Sequence, residues 1–104
     1  MVMDPLDRLE ATIHARRNAA DAGGSYVASL FAKGRAGIAQ KVGEEATETV
    51  IAALDQPEKL VSEAADLVFH LLVLLADAGL GLDDVRAELT RREGVSGHAE
   101  KAAR

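Results

Sequence analysis

At 104 residues the chain is one domain by length; it is 48% hydrophobic but only 3% aromatic, so its core is Leu, Val, Ile and Ala, which suits packed helices better than strands. A net charge of −5 argues against general nucleic-acid binding, which needs a basic face. With no cysteine there is no disulfide framework and no thiolate site, as fits a reducing compartment.

The N-terminal stretch Met1 to Arg8 lacks a basic segment followed by an apolar one, so no signal peptide is expected. Asp4 is placed to cap a first helix, with Pro5 at its first position and Asp7 in its first turn. Leu6, Leu9 and Ile13 form a narrow apolar stripe, and the helix is predicted to run to about Asp21, where Gly23-Gly24 breaks it. Ser25 caps a short second helix carrying Tyr26, Val27, Leu30 and Phe31, ended or kinked by Gly34.

The third helix is predicted over Arg35 to Leu54, with Ile38, Val42, Ala46, Thr49 and Ala53 as its buried face. Glu45 and Glu48 fall at the border of that face, beside Lys41. Asp55-Gln56-Pro57 makes a turn, and a fourth helix is predicted from Pro57 to about Ala78. It is apolar around most of its circumference, apart from a stripe of Glu63, Asp66, His70 and Asp77. A helix of that kind needs cover on several sides, which predicts a homodimer. Its apolar run, Leu67 to Ala76, contains His70 and is short of the roughly 20 residues of a membrane span. Gly79 and Gly81 end it. Asp83 is expected to cap a fifth helix, Asp84 to about Arg92, stopped by Gly94. Residues 93–104 read as a mobile basic tail in which Ala99 to Arg104 can form a helical turn. The fold class is therefore all-α: an antiparallel bundle of about five helices in one domain, 1–104, completed by homodimerisation.

Chemistry concentrates between Lys41 and Asp66, where seven acids face two bases. Glu45 and Glu48 are three apart, as are Glu63 and Asp66, so each pair shares one side of its helix. Antiparallel packing lets the four converge. Within ~5 Å of one another, each pair of charges would cost roughly 3 kcal/mol at an effective dielectric near 20, so a cation must compensate. Mg²⁺ is the expected one, a hard ion taking oxygen ligands and leaving waters for phosphates. Zinc is disfavoured, since only His70 lies nearby. Lys33 and Lys41 are then useful charges for phosphate oxygens, and Arg92, Lys101 and Arg104 in the tail could close over an anionic ligand. The plainer alternative is a solvated acidic face that docks a basic partner without catalysis.

Five runs carry a resemblance: Gly24-Ser25-Tyr26, Leu30 to Gly34, Ile38 to Glu45, Glu63 to Leu67, and Ser96-Gly97 with Glu100-Lys101-Ala102. Together they resemble the phosphoribosyl-ATP pyrophosphohydrolase family, within the all-α, MazG-like nucleotide pyrophosphatases. The superfamily's metal pattern, Glu-x-x-Glu followed by Glu-x-x-Asp, is met by Glu45, Glu48, Glu63 and Asp66. The resemblance implies a dimeric, magnesium-dependent, cytoplasmic hydrolase of the histidine pathway that converts phosphoribosyl-ATP to phosphoribosyl-AMP and pyrophosphate. It also implies a stand-alone form, since the chain has no room for the cyclohydrolase domain some relatives carry. Glu44 and Glu45 are the candidate catalytic residues, Glu44 as the group that positions a water or makes a further metal contact. Tyr26 and His70 join the lysines and the tail as candidate substrate contacts; Phe69 lacks the hydroxyl that relatives often carry before this histidine. A house-cleaning nucleoside triphosphate pyrophosphatase would share the carboxylates, while the Gly-Ser-Tyr run and the tail favour the narrower family.

Overall fold

The computed structural model of the chain describes residues 3–18 and 25–104. The described residues form six α-helices and no strand: α1 (Pro5–Asn18), α2 (Tyr26–Ala32), α3 (Gly34–Asp55), α4 (Leu60–Asp77), α5 (Leu82–Arg91) and α6 (Gly97–Ala103), with a 3₁₀ turn at Pro57–Lys59 before α4. The expected end of the first helix near Asp21, the Gly23-Gly24 break and Gly24 of the Gly-Ser-Tyr run lie outside the described residues.

The caps follow local chemistry. The Asp4 carboxylate accepts from the Leu6 and Asp7 N–H groups at 2.7 and 3.0 Å, and these bonds, Asp7's foremost, hold its pKa below the ordinary value. Ser25 Oγ accepts from Ala28 N–H at 3.2 Å. α4 ends in a Schellman turn: Gly79 has φ 77°, Leu80 N–H bonds the Leu75 carbonyl at 2.8 Å, and Gly79 N–H bonds that of Ala76 at 3.0 Å. The fifth helix is capped differently from the expectation. Gly81, not Asp83, is its N-cap, and Asp84 reaches back to accept from Gly81 N–H at 2.8 Å. Glu10 of α1 takes the next free donor, Leu82 N–H, at 2.7 Å. Asp83 pairs instead with Arg86 at 3.0 Å.

The helical hairpin of α3 and α4 organises the bundle. Arg35 Nε bonds Asp77 Oδ2 at 3.0 Å, and fourteen residues on along α3, Thr49 Oγ1 lies 3.2 Å from the Glu63 carbonyl, fourteen residues back along α4. The register thus stays constant for about four turns of an antiparallel pair. The core gathers Ile13 of α1, Val27 and Leu30 of α2, Ile38 of α3 and Leu72, Val73 and Ala76 of α4. Arg17 anchors the far end, donating to the Ala76 carbonyl at 2.6 Å with its guanidinium 4.6 Å from the Phe31 ring centroid.

The buried stripe of α3 is rotated from the expected one. Its buried residues are Ile38, Glu45 and Ala52, seven apart, whereas Ala53 is exposed and Val42, Ala46 and Thr49 are half-buried. A glutamate therefore sits in the middle of the face that contacts α4. In the tail, the helical turn expected over Ala99 to Arg104 falls within α6, save its last residue. Ser96 caps α6 by accepting from Ala99 N–H at 3.1 Å, and Glu100 turns inward. No single helix among the described residues is long and apolar enough to cross a membrane.

Candidate active site

The constant register explains why the acids meet. Glu45 comes opposite the turn that carries Asp66, and Glu48 opposite the turn that carries Glu63. Oxygen atoms of Glu45, Glu48 and Glu63 lie within 4.8 Å of one another. Asp66, one turn on from Glu63, is exposed and stands outside this close set, though its charge still acts on both Glu45 and Glu63. The four expected ligands are thus three clustered carboxylates with a fourth at the rim.

The cluster is short of counter-charge. Glu45 is only 8% exposed, and its Oε2, like Oε2 of Glu63, is buried with no hydrogen-bond partner among the described residues. Lys41 Nζ stands 3.9 Å from Glu45 Oε1 and equally far from Glu44 Oε1. Burial pushes the Glu45 and Glu63 pKa values up, and the neighbouring Glu48 raises both further. Buried oxygens without partners are costly, so this arrangement fits an oxygen-coordinated cation. Every close donor is a carboxylate oxygen, the set a hard divalent ion such as Mg²⁺ takes.

Thr49 links the two helices that carry the clustered carboxylates. Its hydroxyl is 2.8 Å from the Glu45 carbonyl and 3.2 Å from that of Glu63, and its single proton is shared between them. Sequence periodicity placed Thr49 only among buried positions. Its one legible signal is that it lies four residues after Glu45, where a threonine hydroxyl bonds back along its own helix.

His70 lies behind the cluster, and both its ring nitrogens are occupied. Nδ1 is 2.7 Å from the Asp66 carbonyl, which can only accept, so Nδ1 carries a proton. In the neutral ring Nε2 then accepts from the Tyr26 hydroxyl at 2.8 Å. His70 is 4% exposed, so its reach is to the Asp66 backbone and Tyr26, not to a ligand in solvent. Tyr26 is exposed and stacks on Phe69 with ring centroids 5.9 Å apart.

The other candidate residues are spread more widely. Glu44 is exposed and shares with Glu48 a shallow recess that Gln40, Gly43 and Thr47 also line. Lys33 precedes α3, about 18 Å from Glu45 along the helix at 1.5 Å per residue. In the tail, Glu100 Oε1 is 2.6 Å from Arg91, 3.6 Å from Arg92 and 3.8 Å from Arg104, so Arg92 and Arg104 are engaged with their own helix pair. Lys101 borders a small recess with Gly97 and His98.

Residues 6–93 match the family model described as phosphoribosyl-ATP pyrophosphohydrolase. A protein of Erythrobacter litoralis named phosphoribosyl-ATP pyrophosphatase is 66% identical over 103 residues, covering 98% of each chain. Proteins of the same name from Rhizorhabdus wittichii and Zymomonas mobilis are 67% and 63% identical, over 95% and 100% of this chain and 93% and 97% of theirs.

Proposed function

The chain belongs to the phosphoribosyl-ATP pyrophosphohydrolase family; it hydrolyses phosphoribosyl-ATP to phosphoribosyl-AMP and pyrophosphate, the second step of histidine biosynthesis, and we propose that it does so at the carboxylate cluster between α3 and α4, with Mg²⁺ as the resident cation. The observation that carries the assignment is the pair of buried oxygens, Glu45 Oε2 and Glu63 Oε2, that nothing among the described residues satisfies. Glu45, Glu48 and Glu63 would hold the metal, with Asp66 joining from the rim. Bound Mg²⁺ supplies positive charge against the triphosphate oxygens and the departing pyrophosphate.

The protein's own groups do the rest. Glu44, exposed beside Glu48, accepts a proton from an attacking water and orients it. Lys41 offsets charge at Glu44 and Glu45 and offers a donor to a phosphate oxygen. His70 fixes the Asp66 backbone and holds Tyr26 at the edge of the site. Lys33, Arg92, Lys101 and Arg104 contribute to anion capture only if the chain around them rearranges or a second copy approaches. A second copy is part of this reading. Val61, 83% exposed, lines an apolar groove between α1 and α4 that also includes Leu6, Leu9 and Val68. A second chain packed there gives the cytoplasmic homodimer, and Val61→Lys should lower the mass in sedimentation.

Pyrophosphate release from phosphoribosyl-ATP, with and without Mg²⁺, tests the site. Glu45→Gln and Glu63→Gln should each fall more than ~100-fold, beyond the usual cost of losing a metal-supporting contact. Near wild-type rates in both at saturating Mg²⁺ would move the chemistry elsewhere.

A further inference from the structure

Glycine is, proline aside, the poorest residue for a helix interior, because it has the most backbone freedom to lose. Most of the described glycines have a local reason to be there. Gly34, Gly79 and Gly94 take φ of 78°, 77° and 80°. A Cβ on Gly37 would stand 2.8 Å from Lys33 Cβ, and one on Gly81 2.7 Å from Glu10 Oε2. Gly97 opens α6, where the backbone is not yet fully committed to the helix. Gly43 has no such reason. It is the tenth of the 22 residues of α3, its φ is not positive, and a Cβ there would meet no atom within 4 Å. Alanine at this position would suit the fold better.

The space over Gly43 is the recess walled by Gln40, Glu44, Thr47 and Glu48. Glu48 is one of the three clustered carboxylates, so the recess and the cluster share a wall. The side chains lining the recess are polar and it exposes a larger polar share than the groove between α1 and α4, with their aliphatic stems making up the rest. Two carboxylates there repel phosphate but accept from hydroxyls, and the Gln40 amide offers both a donor and an acceptor. Thr47 directs its hydroxyl onto the Gly43 carbonyl at 3.1 Å, away from the opening. We propose that this recess seats a ribose of the substrate next to the cleaved anhydride, and that Gly43 is a positioning residue whose missing side chain lets the sugar lie against the helix backbone. The inference rests on the reading that the clustered carboxylates cleave phosphoribosyl-ATP.

Gly43→Ala and Gly43→Leu test it, using thermal melting, pyrophosphate release from phosphoribosyl-ATP in Mg²⁺, and mass in solution. Alanine should raise Tm by about 4–8 °C. It should also raise KM about tenfold, equivalent to ~1.4 kcal/mol of lost binding. The value of kcat should stay within about threefold, since the added methyl weakens ground and transition states alike. Leucine, also a good helix former, should raise KM further. A stabilised alanine variant with unchanged KM overturns the proposal, and so does a fall in oligomer mass, which would give Gly43 to a subunit contact. If wild-type protein releases no pyrophosphate from this substrate, the functional reading beneath the inference fails instead.

Discussion

Glu100 and Glu45 are both buried glutamates, yet their surroundings are opposite. Glu100 has three arginines within 4.0 Å, from Arg91 at 2.6 Å to Arg104 at 3.8 Å. Glu45 has two other carboxylates beside it, one ammonium at 3.9 Å and an oxygen with no partner among the described residues. A buried charge that brings its own counter-ions belongs to the fold. One left short of them, among like charges, is kept for something that arrives from outside.

The largest expected effect breaks the two clusters one at a time. Glu45→Gln should abolish measurable turnover while leaving the metal-free protein as stable as wild type or more so, because it removes a buried charge from a crowd of like charges. Glu100→Gln should do the reverse. Turnover persists, and stability drops by about 2 kcal/mol in urea titration, because three arginines lose their shared partner. Equal behaviour of the two variants would erase the distinction.

Next in size is the response to metal. Mg²⁺ at ~100 times its dissociation constant should stabilise wild type by about 2.7 kcal/mol, read as a rise in Tm, and Glu100→Gln by the same amount. Glu45→Gln should show little rise. A wild-type Tm indifferent to Mg²⁺ and Mn²⁺ would favour an acidic face that docks a basic partner.

The response to pH should have opposite signs in the two regions. Glu88, hydrogen-bonded to Arg91 and then Arg92, is held down to about 2 from an ordinary 4.5. A lowered folded-state value means its contribution is present above pH 4.5 and is lost as pH falls toward 2. Glu45 and Glu63 are raised by burial, so their contribution in metal-free protein is present below the ordinary 4.5 and is lost as pH climbs through their raised values. Chelator-treated wild type should therefore lose stability as pH rises above that range, and Glu45→Gln should lose less.

The smallest effect belongs to Thr49. Thr49→Val should cost about 1 kcal/mol of stability and weaken Mn²⁺ binding to the substrate-free protein, while Thr49→Ser keeps the hydroxyl and behaves as wild type. Equal Mn²⁺ binding in both variants would make the hydroxyl irrelevant to the spacing of the two helices.

Much of this was legible in the chain because short-range rules decide it. Asp4, Ser25 and Gly79 end or begin helices through contacts a few residues long, and the i,i+3 acids share a helix side by geometry alone. Contacts across elements were harder to read. Periodicity centred the buried face of α3 near Val42 and Ala46, because it assumes that apolar residues face inward; packing instead buries Glu45, against its hydration. The cap of α5 was misplaced by a few residues, because Asp84 reaches backward and Glu10 supplies the rest from a distant helix. The pairing of Glu100 was hidden because the arginines that hold it lie partly on the preceding helix, and no local period reveals such a contact.

Tyr26 is the only tyrosine in the chain, and there is no tryptophan. Excited at wavelengths that its two phenylalanines do not absorb, the protein therefore emits from one ring, hydrogen-bonded at 2.8 Å to the histidine behind Glu45. The molecule carries its own optical probe at the edge of the proposed metal site. Unlabelled protein can be titrated with divalent ions and followed by fluorescence, with no background from the rest of the fold.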